Sequence, residues 1–191
     1  MEPQLNDLIN NNWFTEIFGS LMTSIAIFAT LRFLRPQIAI SPKICRYTNS
    51  EGEVQYKIKV INKSWFHATN VSFELLLAKP YEVNGGTSVH EQVINLVDGQ
   101  DHRWYISKRP LFWRRQEKKK NGNALYAIHV RANEDLEQLW ASKDDSCYLV
   151  FKVLASHGLS SLTKVKAEKY NRPEHSILTG NYKFGTSLDI C

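Results

Sequence analysis

The sequence predicts a mainly β protein: an immunoglobulin-like antiparallel β-sandwich preceded by one N-terminal transmembrane helix. Three observations predict it. An apolar run leads up to Arg32, a period-2 alternation of apolar and polar residues begins after Pro36, and turn residues interrupt that alternation about every 8 to 12 residues. The expected organisation is a short extracytoplasmic N-terminus over 1–16, a transmembrane helix over 17–34 and a cytoplasmic β-sandwich domain over 35–191. With 43% hydrophobic and 23% charged residues, the chain is neither disordered nor collagen-like, and it is long enough to bury a core.

The helix comes first in the chain. Residues 17–34, IFGSLMTSIAIFATLRFL, hold 15 uncharged positions before Arg32 and 18 positions in all. A bilayer core about 30 Å thick asks for about 20 helical residues, so the span works only with Trp13 at one interface and Arg32 and Arg35 at the other. Pro36 then stops the helix. A buried soluble helix is the competing reading, but Gly19, Thr23, Ser24 and Thr30 lie among apolar residues on every side and leave no charged face for water. A signal peptide is disfavoured because Glu2, Asp7 and Glu16 make the leading segment acidic. Arg32, Arg35, Lys43 and Arg46 follow the run, which puts the long C-terminal part on the cytoplasmic side. Small residues from Gly19 to Ala26 permit close approach of a second helix.

Beyond Pro36 the strands follow in order. Val54, Tyr56, Ile58 and Val60 alternate with polar residues, and Val71, Phe73, Leu75 and Leu77 do the same. Further strand-like runs cover 37–46, 89–97, 103–107, 124–131, 147–155, 162–170 and 181–190. Turns at 49–52, 84–86, 98–99, 121–123 and 157–158 separate them. One helical pattern is expected over 133–140, with Asn133 as N-cap, acids in the first turn, and Leu136, Leu139 and Trp140 turned inward. Three cysteines, Cys45, Cys147 and Cys191, cannot all pair, which suits a reducing compartment. The sequons at Asn62 and Asn70 then read as chance matches.

FLRPQIAIS directly after the apolar run, then KICRYTNSEGEVQYKIKVINKSWFHATNVSFELLL, resembles the start of the cytoplasmic domain of inward-rectifier potassium channels. DHRWYISKRPLFW, NALY with NEDLE, YLVFKVLASHGLSSLTKVKAEKY and ILTGNYKFG follow that family's strands in the same order. The resemblance implies a cytoplasmic sandwich that assembles as a ring, usually a tetramer, beneath a membrane. The chain departs from the family in having one apolar run and no Gly-Tyr-Gly-like filter, so it is not a potassium channel of that design. Arg32 and Arg35 fall where the family binds phosphoinositides, but Gln37, Ile38 and Ala39 replace further cations.

Catalytic patterns are scarce. No G-x-S-x-G, P-loop, His-Glu-x-x-His or Cys-x-x-Cys occurs, and His67, His90, His102, His129, His157 and His175 are scattered without metal-ligand spacing. Cys147 and His129 read as core groups, and Glu134, Asp135 and Glu137 as the acids of a helix start. Neither an enzyme nor a cofactor is expected. One segment stands out: eight cations between Arg103 and Lys120, with a single acid, Glu117. The candidate ligand contacts are Arg103, Trp104, Lys108, Arg109, Trp113, Arg114, Arg115, Lys118, Lys119 and Lys120. Cations match phosphate oxygens, and aromatic faces stack on bases or rest in a lipid interface.

Three readings fit that segment: a solvated basic loop, a contact with anionic headgroups, and a pocket for a nucleotide or other phosphorylated ligand. Long nucleic acid fits worst, with a net charge of only +5. The expected function is a single-pass membrane protein whose cytoplasmic sandwich binds a ligand and acts through an oligomeric membrane helix. A prokaryotic nucleotide-gated membrane effector is its sharpest form. The expected partners are membrane lipids and further copies of the chain. The alternative is a membrane-anchored adaptor that docks a cytosolic protein or anionic lipid.

Overall fold

The structure, a computed structural model, describes residues 4–97, 101–108, 126–132, 134–141 and 146–191. It divides into two units, Met1–Arg35 and Pro36–Cys191.

The first unit is one helix, α1, Gln4–Phe33. Its hydroxyls are turned back onto its own backbone: Ser20 donates to the Ile17 carbonyl (2.9 Å), Thr23 to Gly19 (2.8 Å), Ser24 to Ser20 (2.8 Å) and Thr30 to Ala26 (2.8 Å). These bonds satisfy the polar groups without interrupting the helix. Within this chain Ile17, Phe18, Leu21, Met22, Ile25, Ile27, Phe28 and Leu31 are all exposed. The expected transmembrane helix over 17–34 is corrected here. Among the described residues, no helix is long and apolar enough to cross a membrane. The physical reason lies in the run itself: its 15 residues before Arg32 rise about 22 Å at 1.5 Å each, against a hydrocarbon core of about 30 Å. Glycine and four hydroxyl side chains dilute the run further. The interfacial roles read into Trp13, Arg32 and Arg35 depended on that span; Trp13 and Arg35 are exposed.

Among the described residues, the second unit is built on two five-stranded sheets. At the centre of the first is β3 (Val54–Asn62). Along one edge of it run β1 (Ile38–Ile40) and β2 (Ile44–Thr48), and along the other β7 (Ala127–Ala132). The sequence suggested a single strand over 37–46, but the chain breaks at Ser41-Pro42. Pro42 has no N–H to give to a ladder, and the Ser41 hydroxyl donates to the Lys43 carbonyl at 2.7 Å. A short strand that the sequence did not suggest, β10 (Ile177–Thr179), pairs with β2 in parallel, Ile177 against Ile44. The sheet is therefore mixed, which corrects the expected all-antiparallel sandwich.

The second sheet is organised by β4 (Ala68–Val83), long enough to take two partners on one edge. These are β6 (His102–Ile106) at its start and β5 (Gly86–Ile94) beyond, while β8 (Tyr148–His157) and then β9 (Thr163–Tyr170) lie on the other side. The register slips between Thr69 and Ser72, where Asn70 has φ 46°, a left-handed conformation that asparagine tolerates best after glycine. Strand alternation turns Phe73, Leu75 and Leu77 of β4 and Phe151 and Val153 of β8 into the same buried cluster as Tyr56, Ile58 and Val60 of β3. Phe73 and Phe151 stack at 6.1 Å.

A short helix, α2 (Leu136–Ala141), adds the buried Leu136 and Trp140 to that core, and the Trp140 indole donates to the Cys147 carbonyl at 3.0 Å. The expected N-cap, Asn133, lies outside the described residues. Asp135 caps the helix instead, its Oδ1 accepting from the Glu137 and Gln138 amides (3.1 and 3.2 Å) and from the Tyr56 hydroxyl (2.8 Å). One more turn of helix, α3 (Pro173–Ser176), precedes β10. The strand expected over 181–190 is absent as such. That segment closes on itself through a single bridge, Tyr182 with Ile190, and lies against the first sheet as a strap.

Candidate ligand-binding site

β6 carries the start of the basic segment. Ile106 is fully buried opposite Ala68, so alternation puts Arg103 and Tyr105 together on the outer side of the strand. Both are exposed, as is Lys108 just beyond. Next to Tyr105 is a cavity of about 530 Å³ lined by Phe66, His67, Thr69, Tyr105, Gly158 and Leu159. That volume suits a small organic ligand. Four pieces of chain build it: loop 63–67 between β3 and β4, the start of β4 at Thr69, strand β6, and the turn 158–162 between β8 and β9.

Each piece is fixed by specific bonds. Asn62, fully buried, donates its amide to the carbonyls of Phe66 (2.8 Å), Ile106 (3.3 Å) and Ser107 (3.2 Å), and accepts from the Ser64 amide (2.9 Å). Its side chain is thus spent on tying the loop to β6 and is not offered for glycosylation. The same loop holds the start of the domain: the Gln37 amide donates to the Ser64 hydroxyl (2.7 Å), and the Lys63 amide donates to the Gln37 carbonyl (2.7 Å). On the other wall the Gly158 amide donates to the His67 carbonyl at 2.8 Å. A Cβ at Gly158 would sit 2.9 Å from that oxygen, so only glycine allows the approach.

The lining is aromatic and open. His67 and Tyr105 meet edge to face at 5.6 Å, and Phe66 meets His157 in the same way at 4.9 Å. Tyr105 is 52% exposed, Leu159 68%, and Trp65 beside the pocket 65%. Large apolar side chains this exposed at one end of a domain mark a binding surface more often than a scatter of single residues does. His157 itself is fully buried, and burial lowers its pKa, which favours the neutral imidazole.

Of the residues singled out from the sequence, Arg103 and Lys108 stand on β6 or just after it. Arg109, Trp113, Arg114, Arg115, Lys118, Lys119 and Lys120 lie outside the described residues, as do the side chains of Trp104 and Arg32. The sequence reading missed Phe66, His67, Gly158 and Leu159. Trp65-Phe66, an aromatic pair in a turn just after a strand ends, was the available signal; His157-Gly158 passed as plain turn punctuation.

The other chemical groups have structural employment. Glu134 accepts from Asn95, Asp135 caps α2, and Glu137 pairs with Arg46 at 3.4 Å. Cys45 and Cys147 are buried free thiols. Among the described residues, no group of three His, Cys, Asp or Glu could hold a metal ion. No protein-family model matches this chain, and no curated protein matches it either.

Proposed function

We propose that this chain is a non-catalytic ligand sensor, whose sandwich takes a small anionic ligand with a flat ring, a nucleotide by chemical class, and whose helix α1 carries the response by self-association. The observation that supports this most directly is the cavity with exposed aromatic walls, Phe66 and Tyr105; the exposed cations Arg103 and Lys108 stand two residues before and three after Tyr105 in the chain. A ring stacked on such a wall gains about 1–3 kcal/mol, and a phosphate gains charge-assisted hydrogen bonds from arginine or lysine.

The loop that forms one wall also holds Gln37, the second residue of the unit that follows α1. A ligand that shifts Phe66 therefore acts on the loop that holds Gln37. A ligand that binds one position of this loop more tightly than another shifts the loop toward it. The apolar side chains of α1, uncovered within the chain, call for a cover. A second copy supplies one, because Gly19, Ser20 and Thr23 let two such helices approach closely.

Calorimetric titration of the purified chain with ribonucleoside monophosphates tests the reading, with light scattering of the same samples to follow assembly. Binding that is lost in Tyr105→Ala and weakened in Arg103→Glu is the expected result. Absence of any binding rejects it. A second reading, an adaptor, draws on the same exposed Trp65, Tyr105 and Leu159, since aromatic anchors dominate protein interfaces. It predicts that Tyr105→Ala abolishes capture of a protein partner and leaves nucleotides without effect.

A further inference from the structure

We infer that the pocket reads a hydrogen-bond acceptor on its ligand's ring through the Nε2–H of His157; this rests on the proposed nucleotide-class ligand and specifies which edge of it is recognised. The argument starts from the tautomer. Nδ1 of His157 accepts from the Leu159 amide (3.3 Å) and the Ser160 amide (3.4 Å), with the Ser160 hydroxyl a further 3.3 Å neighbour. A nitrogen that accepts two N–H groups carries no proton, so the single proton of the neutral ring sits on Nε2. That Nε2 is buried and finds no acceptor among the described residues.

A buried donor without an acceptor is rare in native proteins and asks for an explanation. The Phe66 ring packs edge to face against the imidazole, 4.9 Å away centroid to centroid, and an aromatic ring is at best a weak acceptor. Phe66 lines the cavity, as do Gly158 and Leu159, the two residues that follow His157. Phe66 is itself 39% exposed, so its side chain has room to leave. A flat ring with a nitrogen or carbonyl on its edge can take the place of Phe66 against His157, satisfy the donor, and stack beneath the displaced phenyl. A ring without an acceptor fills the same space and leaves the donor unpaired. Sites with a buried polar group discriminate strongly on that basis.

The test uses the full chain and two kinds of probe: the four ribonucleoside 5′-monophosphates, and 1-naphthyl phosphate, a flat bicyclic phosphate with no ring acceptor. The best nucleotide is expected to bind at least ten-fold more tightly than 1-naphthyl phosphate, and the His157 Nε2–H signal in nitrogen-15 NMR to move when that nucleotide is added. In His157→Phe the preference disappears. The NMR arm needs no variant and decides the matter if that protein does not fold. Equal affinities, or nucleotide binding that leaves the His157 signal in place, overturns this inference and leaves the ligand-sensor reading standing. Failure of every probe to bind overturns both.

Discussion

Two histidines in this fold carry the same oddity in opposite surroundings. His129 of β7 and His157 at the end of β8 each bury an Nε2 that finds no partner among the described residues. His129 lies on the first sheet, opposite Lys59, with the Tyr182 ring stacked on it at 5.4 Å. The strap that brings Tyr182 there is held down by Lys59, almost fully buried, whose ammonium donates to the carbonyls of Lys183 (2.7 Å) and Ser187 (2.8 Å). The Tyr182 hydroxyl donates in turn to the Lys43 carbonyl at 2.6 Å. The space against that imidazole is thus filled by the chain itself. Around His157 the next two residues, Gly158 and Leu159, and the Phe66 ring packed on its imidazole line a cavity, and no cation is among the groups that shift its pKa. An orphaned buried nitrogen therefore points to a ligand only where the neighbouring wall is open.

The largest effect expected from this contrast falls on the strap. Lys59→Ala removes an ammonium that serves two carbonyls and leaves both without a donor, at a cost of about 3 kcal/mol. Urea unfolding measures that loss, and proteolysis within 181–190 should accelerate at the same time. Unchanged stability would mean that the desolvation of Lys59, which lowers its pKa, already offsets what its hydrogen bonds contribute. The next effect is on pH dependence. Burial, then Lys59 and Lys57, push the His129 pKa down to about 4. Below the unfolded pKa of about 6.5 the unfolded chain takes up a proton that the folded chain refuses. Stability is thus full above pH 6.5 and falls as the pH drops toward 4, by up to about 3 kcal/mol. His129→Gln should flatten that part of the curve. His157→Gln should flatten it less, since no cation adds to its burial.

The same contrast explains what could be read from the sequence. Strands β3, β4 and β8 were legible because one face of each enters the core, which imposes period 2 on Tyr56, Ile58 and Val60 and on Val71, Phe73, Leu75 and Leu77; Val54 continues the pattern but is exposed. The strap was mistaken for a strand for a related reason: Tyr182 and Leu188 look like strand residues, but they are packed by contacts with the first sheet and not by a ladder. β10 has no local pattern, since it is set by its parallel pairing with β2, whereas the break at Ser41-Pro42 carries a local signal, the proline. The basic segment drew attention to β6 because charge density shows in a sequence. The remaining walls, Phe66 and Leu159, come from turns 39 and 54 residues away from Tyr105 in the chain and meet it only once β4 has paired with both β6 and β8. The apolar run over α1 was visible, but whether 15 residues before a charge suffice for a bilayer is a question of length, and there the reading went too far.

The pocket end predicts smaller stability effects with a larger functional readout. Gly158→Val places a side chain where a Cβ already comes within 2.9 Å of the His67 carbonyl. The turn and the loop must separate, at about 2 kcal/mol, and ligand binding should fall with them. Tyr105→Ala completes the series from the other side. Tyr105 is 52% exposed and among the described residues shares one ring contact, with His67, so its removal should change the unfolding free energy by less than about 1 kcal/mol. If the cavity is a binding site, nucleotide affinity should nonetheless drop at least about ten-fold, the loss of one stacking wall. A residue whose truncation leaves the fold intact but removes binding belongs to a surface shaped for a partner. If Tyr105→Ala instead destabilises the fold as much as Lys59→Ala does, the open end of the sandwich is part of its core, and the contrast between the two histidines loses its meaning.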